Sequence, residues 1–379
     1  MHAYYRQPAI YKDQVVFIAE DDLWTFNLKE KVARRLTANL GMIRYPQFSP
    51  DGKQIAFTST EEGISEIYLM PSEGGEAKRI TYLGAYLYTL GWKGSKIIFA
   101  SSHSSFLRGY DKLFEIESEG GAPVELPYGR ASDISFGEKG VVLGRNTGNP
   151  ARWKRYRGGT AGYILIDKNG DGKFKKLIDL KGNFAHPMWI GNRIYFICDH
   201  EGIGNIYSCT PEGKDLQKHS NHQDYYARGA YSDGKNIIWH AGAELWLMDV
   251  KENKPRKLSF AYSSPMVQRQ RKFVSPPRNL ENVYLSPDGG SLSLELRGKA
   301  LVSGNWEGSV QQYGWHQGVR YRLPQILPDG KHLLLLSDEP GYERFEIHPL
   351  RQDFEKVTEE VVIIDNPDLG RVTSFVPAP

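Results

Sequence analysis

The stretch Phe48–Ser59 reads FSPDGKQIAFTS, and it returns in altered form as YSDGKNIIWHA from Tyr231, LSPDGGSLSLEL from Leu285 and LPDGKHLLLLS from Leu327. In each copy an Asp-Gly pair precedes a run of apolar, β-branched or aromatic residues. Glycine reaches positive φ without steric cost, so the pair reverses the chain between two antiparallel strands. Working outward, the strand after the turn recurs as QVVFIA, QIAFTS, KIIFAS, GVVLGR, RIYFIC, NIIWHA, SLSLEL and HLLLLS. Anchored on Phe17, Phe57, Phe99, Leu143, Phe196, Trp239, Leu294 and Leu335, its steps are 40, 42, 44, 53, 43, 55 and 41 residues. A second strand follows each copy, as in DLWTFN and EIYLMP, and a third follows most, as in ARRLT, AKRIT and PRKLS. A lone sheet of three or four strands cannot bury both faces, so neighbouring units must stack on it. Units of about 40–45 residues with four strands are those of a β-propeller. The expected fold is therefore all-β.

The two long steps mark insertions. One contains RNTGNPARWKRYRGGTAG, Arg145 to Gly162; the other contains FAYSSPMVQRQRKFVSPPRNLEN, Phe260 to Asn282, which has three prolines and no strand-like alternation. The second insertion reads as an inter-domain connection. Six units precede it, and two follow with the start of a third. Six blades can close a ring, whereas two cannot, because each blade needs a neighbour on both faces. The expected domains are a six-bladed β-propeller over residues 1–262, a linker over 263–282, and over 283–379 the first two blades and the start of a third of a second propeller. On this view the ending VTSFVPAP cuts the second ring as a blade begins. All eight units in one ring is the alternative.

A net charge of +3 is too small for a nucleic-acid surface, and no basic run is longer than a few residues. The start, MHAYYRQPAIYKDQ, has no apolar core of a signal peptide. No apolar run approaches the roughly 18–20 residues of a membrane helix. These features point to a soluble, cytoplasmic chain without nucleic-acid or membrane partners. Cys198 and Cys209 flank a hairpin in which Cys198 faces a residue near Asn205, so reduced core thiols are expected rather than a disulfide.

Longer segments narrow the class. DDLWTFNLKEKVARRLTANLG from Asp21, ARWKRYRGGTAGYI from Ala151, IGNRIYFICDHEGIGNIYSC from Ile190 and DYYARGAYSDGKNIIWHAGAELWLMD from Asp224 resemble the tricorn protease family, as does the spacing of LRGKALV and GVRYRL further on. The resemblance runs along nearly the whole chain and matches the family's amino-terminal part, a six-bladed propeller followed by a seven-bladed one. It implies a cytoplasmic serine peptidase that trims short peptides downstream of the proteasome, with propellers controlling their passage to a shielded active site. It also implies that the catalytic serine and histidine, and the PDZ and catalytic parts that would be this chain's partners, lie beyond these residues, in a protein assembled as a hexamer. A family arginine pair that holds a peptide's carboxylate between the second and third units has no counterpart in YLGAYLYTLGW, Tyr82 to Trp92. A free-standing TolB-like propeller acting as a protein-interaction scaffold is the alternative function.

No catalytic set is expected within this chain. G-x-S-x-G is absent, and His103, His200 and His240 fall at or near strand ends, where solvated or capping roles are commoner. HSNHQD, His219 to Asp224, has metal-like spacing but sits between units five and six, and is read as a polar loop. DKNGDGKFKKLI, from Asp167, opens like a calcium loop, yet its twelfth position is Ile178 where a glutamate is needed, and strands rather than helices flank it. Neither a metal nor a cofactor is expected. RWKRYRGG, Arg152 to Gly159, combines Arg152, Lys154, Arg155 and Arg157 with Trp153 and Tyr156. These four cations are the substrate-channel or docking candidates, set against a loop whose arginines pair with neighbouring acids.

Overall fold

The computed structural model describes residues 3–38, 40–107, 109–148, 155–266, 274–350 and 360–378. Its strands form eight four-stranded sheets, and in each sheet the strands stand in chain order and run antiparallel. The chain divides into two units, Met1–Arg269 and Gln270–Pro379, with six sheets in the first and two in the second.

In the first unit the innermost strands are Arg6–Tyr11, Ile43–Phe48, Leu87–Lys93, Asp133–Phe136, Phe184–Ile190 and Arg228–Ser232. The strands after them carry the repeated sequence: Gln14–Ala19, Gln54–Ser59, Lys96–Ser101, Val141–Arg145, Arg193–Cys198 and Asn236–Ala241. A strand's side chains alternate between faces, and here each face meets another sheet. In QVVFIA, Val15, Phe17 and Ala19 enter one core while Val16 and Ile18 enter the next. Burial on both faces is why these strands read as continuous apolar runs rather than alternating ones.

Six such cores join consecutive sheets. Val16 and Ile18 meet Ile55 and Phe57; Ala56 and Ile67 meet Ile97 and Phe99; Ile98 and Ala100 meet Val141 and Leu143. Val142 and Ile164 meet Ile194 and Phe196, and Tyr195 and Ile197 meet Ile237 and Trp239. The sixth core returns to the start, bringing Ile238 and Leu245 of the last sheet against Val15 and Phe17 of the first. The sheets therefore follow one another in a closed cycle.

The seam of that cycle uses residues that sequence had placed in the irregular connection. Phe260 stacks on Phe26 with ring centroids 4.2 Å apart, and Tyr262 packs on Trp24 at 4.6 Å. Ala261 forms a parallel bridge with Val32, donating to Lys31 O and accepting from Ala33 N, each at 2.8 Å. A single three-residue segment is too short to show alternation, so only its partner reveals it as paired.

A polar clasp recurs at the outer edge of the sheets. The hydroxyl of Thr37 donates to buried Asp22 at 2.8 Å and accepts from Leu23 N at 3.0 Å. Thr81 does the same with Glu66 and Ile67 N, and Ser220 with Asn205 and Ile206 N. This explains the hydroxyl that closes ARRLT and AKRIT: it offsets the desolvation of a buried polar group at the start of the neighbouring strand, Asp22–Asn27 or Glu66–Pro71.

The second unit has sheets of Leu280–Leu285, Ser291–Leu296, Lys299–Gly304 and Gln311–Tyr313, and of Tyr321–Ile326, His332–Ser337, Arg344–Pro349 and Val362–Ile364. They share one core of Ala300, Tyr313, Tyr321, Ile326, Leu333 and Leu335. A one-turn helix, Pro276–Asn279, precedes the first strand. Among the described residues no helix is long and apolar enough to cross a membrane.

Candidate functional site: the central cavity of the first unit

The innermost strands frame a cavity of about 970 Å³. Four of them contain the same break in the ladder, at Arg6/Ala9, Arg44/Gln47, Ala185/Met188 and Arg228/Tyr231. At each break one residue takes positive φ: Gln7 at 47°, Tyr45 at 52°, His186 at 48° and Gly229 at 57°. Proline follows three of them, as Pro8, Pro46 and Pro187. A proline has no N–H for the ladder and is tolerated where the ladder is already broken, and such a bulge re-aims the side chains beside it. All four strands thereby present residues to the cavity.

Register places six residues at one level, each paired with the residue after the anchor of its second strand. They are Arg6, Arg44, Tyr88, Asp133, Ala185 and Arg228. Five of them, all but Ala185, line the cavity. The three arginines stand on adjacent sheets, six, one and two. Gln7 ties those strands together, donating from its backbone to His240 Nδ1 at 3.2 Å and accepting from Tyr45 N at 3.1 Å. Accepting that bond while buried keeps His240 neutral, and burial together with nearby Arg228 depresses its pKa to about 3.

The opposite arc is aromatic and acidic. Tyr88 lies 5.3 Å from Tyr45 and 5.9 Å from Tyr86 between ring centroids, and its hydroxyl donates to Asp111 at 3.3 Å. Asp133 accepts from Thr147 at 2.6 Å and lies 3.9 Å from His186 Nδ1. Burial pushes the carboxyls of Asp111 and Asp133 up from the ordinary range, against the pull of Tyr88 on the first and of His186 and Thr147 on the second.

Chain direction assigns these groups to one rim. Successive strands alternate in direction, so the loops between second and third strands and the connections between sheets share a rim. The remaining turns share the other. Arg6, Arg44 and Arg228 sit at or beside the first residue of their strands, hence toward the rim bearing the connections. That rim also carries the exposed side chains Tyr82, Tyr86, Phe106, Leu107 and Tyr110. The basic insertion belongs to it as well. Arg152 and Lys154 lie outside the described residues. Arg157 reaches fully buried Asp199, donating to its carboxylate at 3.2 Å and to its carbonyl at 3.1 Å, and Arg155 N donates to the same carboxylate at 3.2 Å. Asp199 is thus the anchor of the loop, and Tyr156 between the two arginines lines the cavity.

The three histidines expected in solvated or capping roles are partly or wholly buried. His240 is in the cavity wall, while His103 and His200 pack on Phe114 and Tyr207, with ring centroids 4.3 and 4.6 Å apart. His219 Nε2 meets Ser208 Oγ at 2.7 Å and its Nδ1 meets Asn253 at 2.5 Å, a relay with the outline of a hydrolase triad. Ser208 is fully buried and also accepts from Arg193 at 2.8 Å, so no substrate can reach it. The relay joins sheets five and six. His222 accepts from Trp239 Nε1 at 2.9 Å, so the polar loop HSNHQD between sheets five and six is tied into both. Asp167 spends its carboxylate on the N–H groups of Asn169, Gly170, Asp171 and Gly172, closing the calcium-like sequence as a turn. Among the described residues no cluster of metal-ligating side chains occurs, and both cysteines are free and buried. Sequence reasoning missed the arginine arc, although its trace is visible: Arg-x-Pro in RQP and RYP, and again in RLP of the second unit.

Residues 2–254 match the model of the tricorn protease N-terminal beta propeller domain. A tricorn protease homolog of Saccharolobus solfataricus is 34% identical over 338 residues, covering 87% of this chain and 31% of that protein. A putative tricorn-like protease N-terminal subunit of Sulfurisphaera tokodaii is 31% identical over 173 residues, 44% of this chain and 87% of that one. The crystal structure of the tricorn protease superposes with a TM-score of 0.79 at 29% identity, covering 98% of this chain and 36% of that one. The chain spans about a third of the length of the homolog and of the crystallised enzyme.

Proposed function

The chain belongs to the tricorn protease N-terminal beta propeller family, and from that premise we propose that it is the peptide-passing portion of a tricorn-type serine protease acting on short peptides downstream of the proteasome. The single observation that carries this is the cavity framed by all six innermost strands of the first unit. At about 970 Å³ it lies at the upper end of the roughly 300–1,000 Å³ of small-ligand sites. Its wall mixes guanidinium, phenol and indole groups, which suits the alternating polar and apolar surface of an extended peptide. On this reading the first unit is a six-bladed propeller, the second is the opening of another, and chemistry resides in further domains or subunits of the same protease. The exposed aromatic residues of the connection-bearing rim are a surface on which those domains could rest, and the whole would work as a cytoplasmic hexamer. Arg152, Lys154, Arg155 and Arg157 remain candidates for guiding peptides to, or docking against, this mouth, with Tyr156 nearest the cavity.

Trp92 and Trp189 line the cavity, so their fluorescence provides the test. Short peptides should change it saturably, and Ala230→Trp, which fills the wall, should abolish the change while the fold persists. Saturable binding that survives Ala230→Trp would count against passage through this cavity. Peptide hydrolysis by the chain, lost on replacing one of its serines, would contradict the assignment of catalysis to other domains.

A further inference from the structure

The arginine arc has a chemistry that a neutral passage would not need. Arg6 is paired with Asp21 at 2.6 Å. Arg44 makes one side-chain contact, with Met42 Sδ at 3.7 Å, and among the described residues Arg228 has no side-chain partner. Both are partly buried, both line the cavity, and they flank Arg6 on adjacent strands held in register by Gln7. Guanidinium groups are usually spent on carboxylates or carbonyls inside a protein, because a partly desolvated cation without a partner costs free energy. Four other arginines of this unit follow that pattern: Arg35 pairs with Asp22, Arg79 with Glu62, Arg157 with Asp199 and Arg193 with Asp215. Neither acid across the cavity forms an ion pair with Arg44 or Arg228: the carboxylate of Asp133 accepts from Thr147 and that of Asp111 from Tyr88.

We infer that Arg44 and Arg228, one on each side of Arg6, form a carboxylate-binding arc that makes this mouth select peptides bearing aspartate or glutamate side chains. The inference rests on the cavity being a peptide passage. Planar guanidinium forks take carboxylates bidentately, and the low-dielectric wall strengthens the pairing. Tyr45 follows Arg44 in sequence and, with Tyr86 and Tyr88, lines the same cavity, where these rings would cover the apolar part of such a ligand.

The test uses the full chain and three synthetic hexapeptides. One is rich in Asp and Glu with an amidated end, one is its amidated Asn/Gln counterpart, and one is that counterpart with a free end. The amidated acidic peptide should bind at least about tenfold tighter than the amidated neutral one at low salt, and the margin should shrink as salt rises. Arg44→Gln and Arg228→Gln should each remove about tenfold of that margin. Arg44→Lys should retain part of it, and Lys251→Gln on the other rim should leave it unchanged. Equal affinity of the two amidated peptides would overturn the inference. So would a gain produced only by the free end, which would mean the mouth reads chain termini. If no peptide binds at all, the passage itself fails and acetate decides the arc. Protection of Arg44 and Arg228 from phenylglyoxal by acetate would sustain an anion site, and modification indifferent to acetate would sink it.

Discussion

The same strand occurs in two settings. In the first unit Gln14–Ala19 buries five of its six residues, and Phe17, Phe57, Phe99, Phe196 and Trp239 are wholly inaccessible. In the second unit the equivalent strand Ser291–Leu296 buries two, and the flanking strand Leu280–Leu285 exposes Leu280, Val283 and Leu285. The sheets have the same strand order and the same antiparallel pairing. What differs is the number of neighbours. Every sheet of the first unit has a core on both faces, whereas the two sheets of the second share one. A blade's stability is therefore largely a property of its neighbours, as expected where repeat and interface terms add.

The largest expected break in this comparison is Trp239→Ala, which empties a fully buried site and should cost about 3–5 kcal/mol. Leu294→Ala, at the equivalent but half-buried position, should cost about 1 kcal/mol. Denaturant titration of both variants measures the difference, and hydrogen exchange should show Gln14–Ala19 protected well beyond Ser291–Leu296. Equal protection would contradict the neighbour argument.

Acid should weaken the first unit more than the second through His240. Its folded pKa, about 3, lies below the ordinary value of 6.5, so its contribution is full above pH 6.5 and is lost as pH falls toward 3. By pH 4 that amounts to about 3 kcal/mol as an upper figure. Asp111 and Asp133, raised by burial, act the other way, favouring the fold at low pH and losing that contribution as pH rises. His240→Gln keeps an acceptor for Gln7 N–H, so its melting temperature should be flatter than the parent's between pH 7 and 4.

At the seam, Phe260→Ala should cost about 2 kcal/mol and leave the second unit's melting unchanged, because Phe260 is only partly buried. Smaller still is Gly229→Ala. Its φ of 57° matches that of Gln7 and Tyr45 at the same bulge, so conformation alone does not forbid a side chain. The added Cβ would lie 3.1 Å from the His240 ring, and a loss of about 1 kcal/mol is expected. At the bottom of the scale, Val283→Lys on the exposed face of the second unit should stay within about 0.5 kcal/mol. A loss of several kcal/mol there would mean that this face is covered in solution.

Much of this molecule was legible before any coordinates. The Asp-Gly turns and the eight apolar strands act through local conformation or through one adjacent strand. Spacing along the chain was enough to find them. The cysteines too are where the hairpin register puts them, with Cys198 opposite Asn205. The arginine arc was not found in this way. Arg6, Arg44 and Arg228 are far apart in sequence and meet only because the bulges share a level and the cycle closes between sheets six and one. The insertion Arg145–Gly162 was visible as a basic loop, but its attachment to Asp199 was not, since a loop's partner is set by the neighbouring blade.

The amino-acid sequence determined the repeating unit, because strand alternation and turn chemistry are properties of a few consecutive residues. Tertiary structure alone decided which copies are buried on both faces, how Phe260–Tyr262 seals the seam, and which charges look into the cavity. Those outcomes depend on contacts between residues more than 230 positions apart, exemplified by Tyr5 and Phe260 or by Gln7 and His240. Pattern within one repeat carries no information about them.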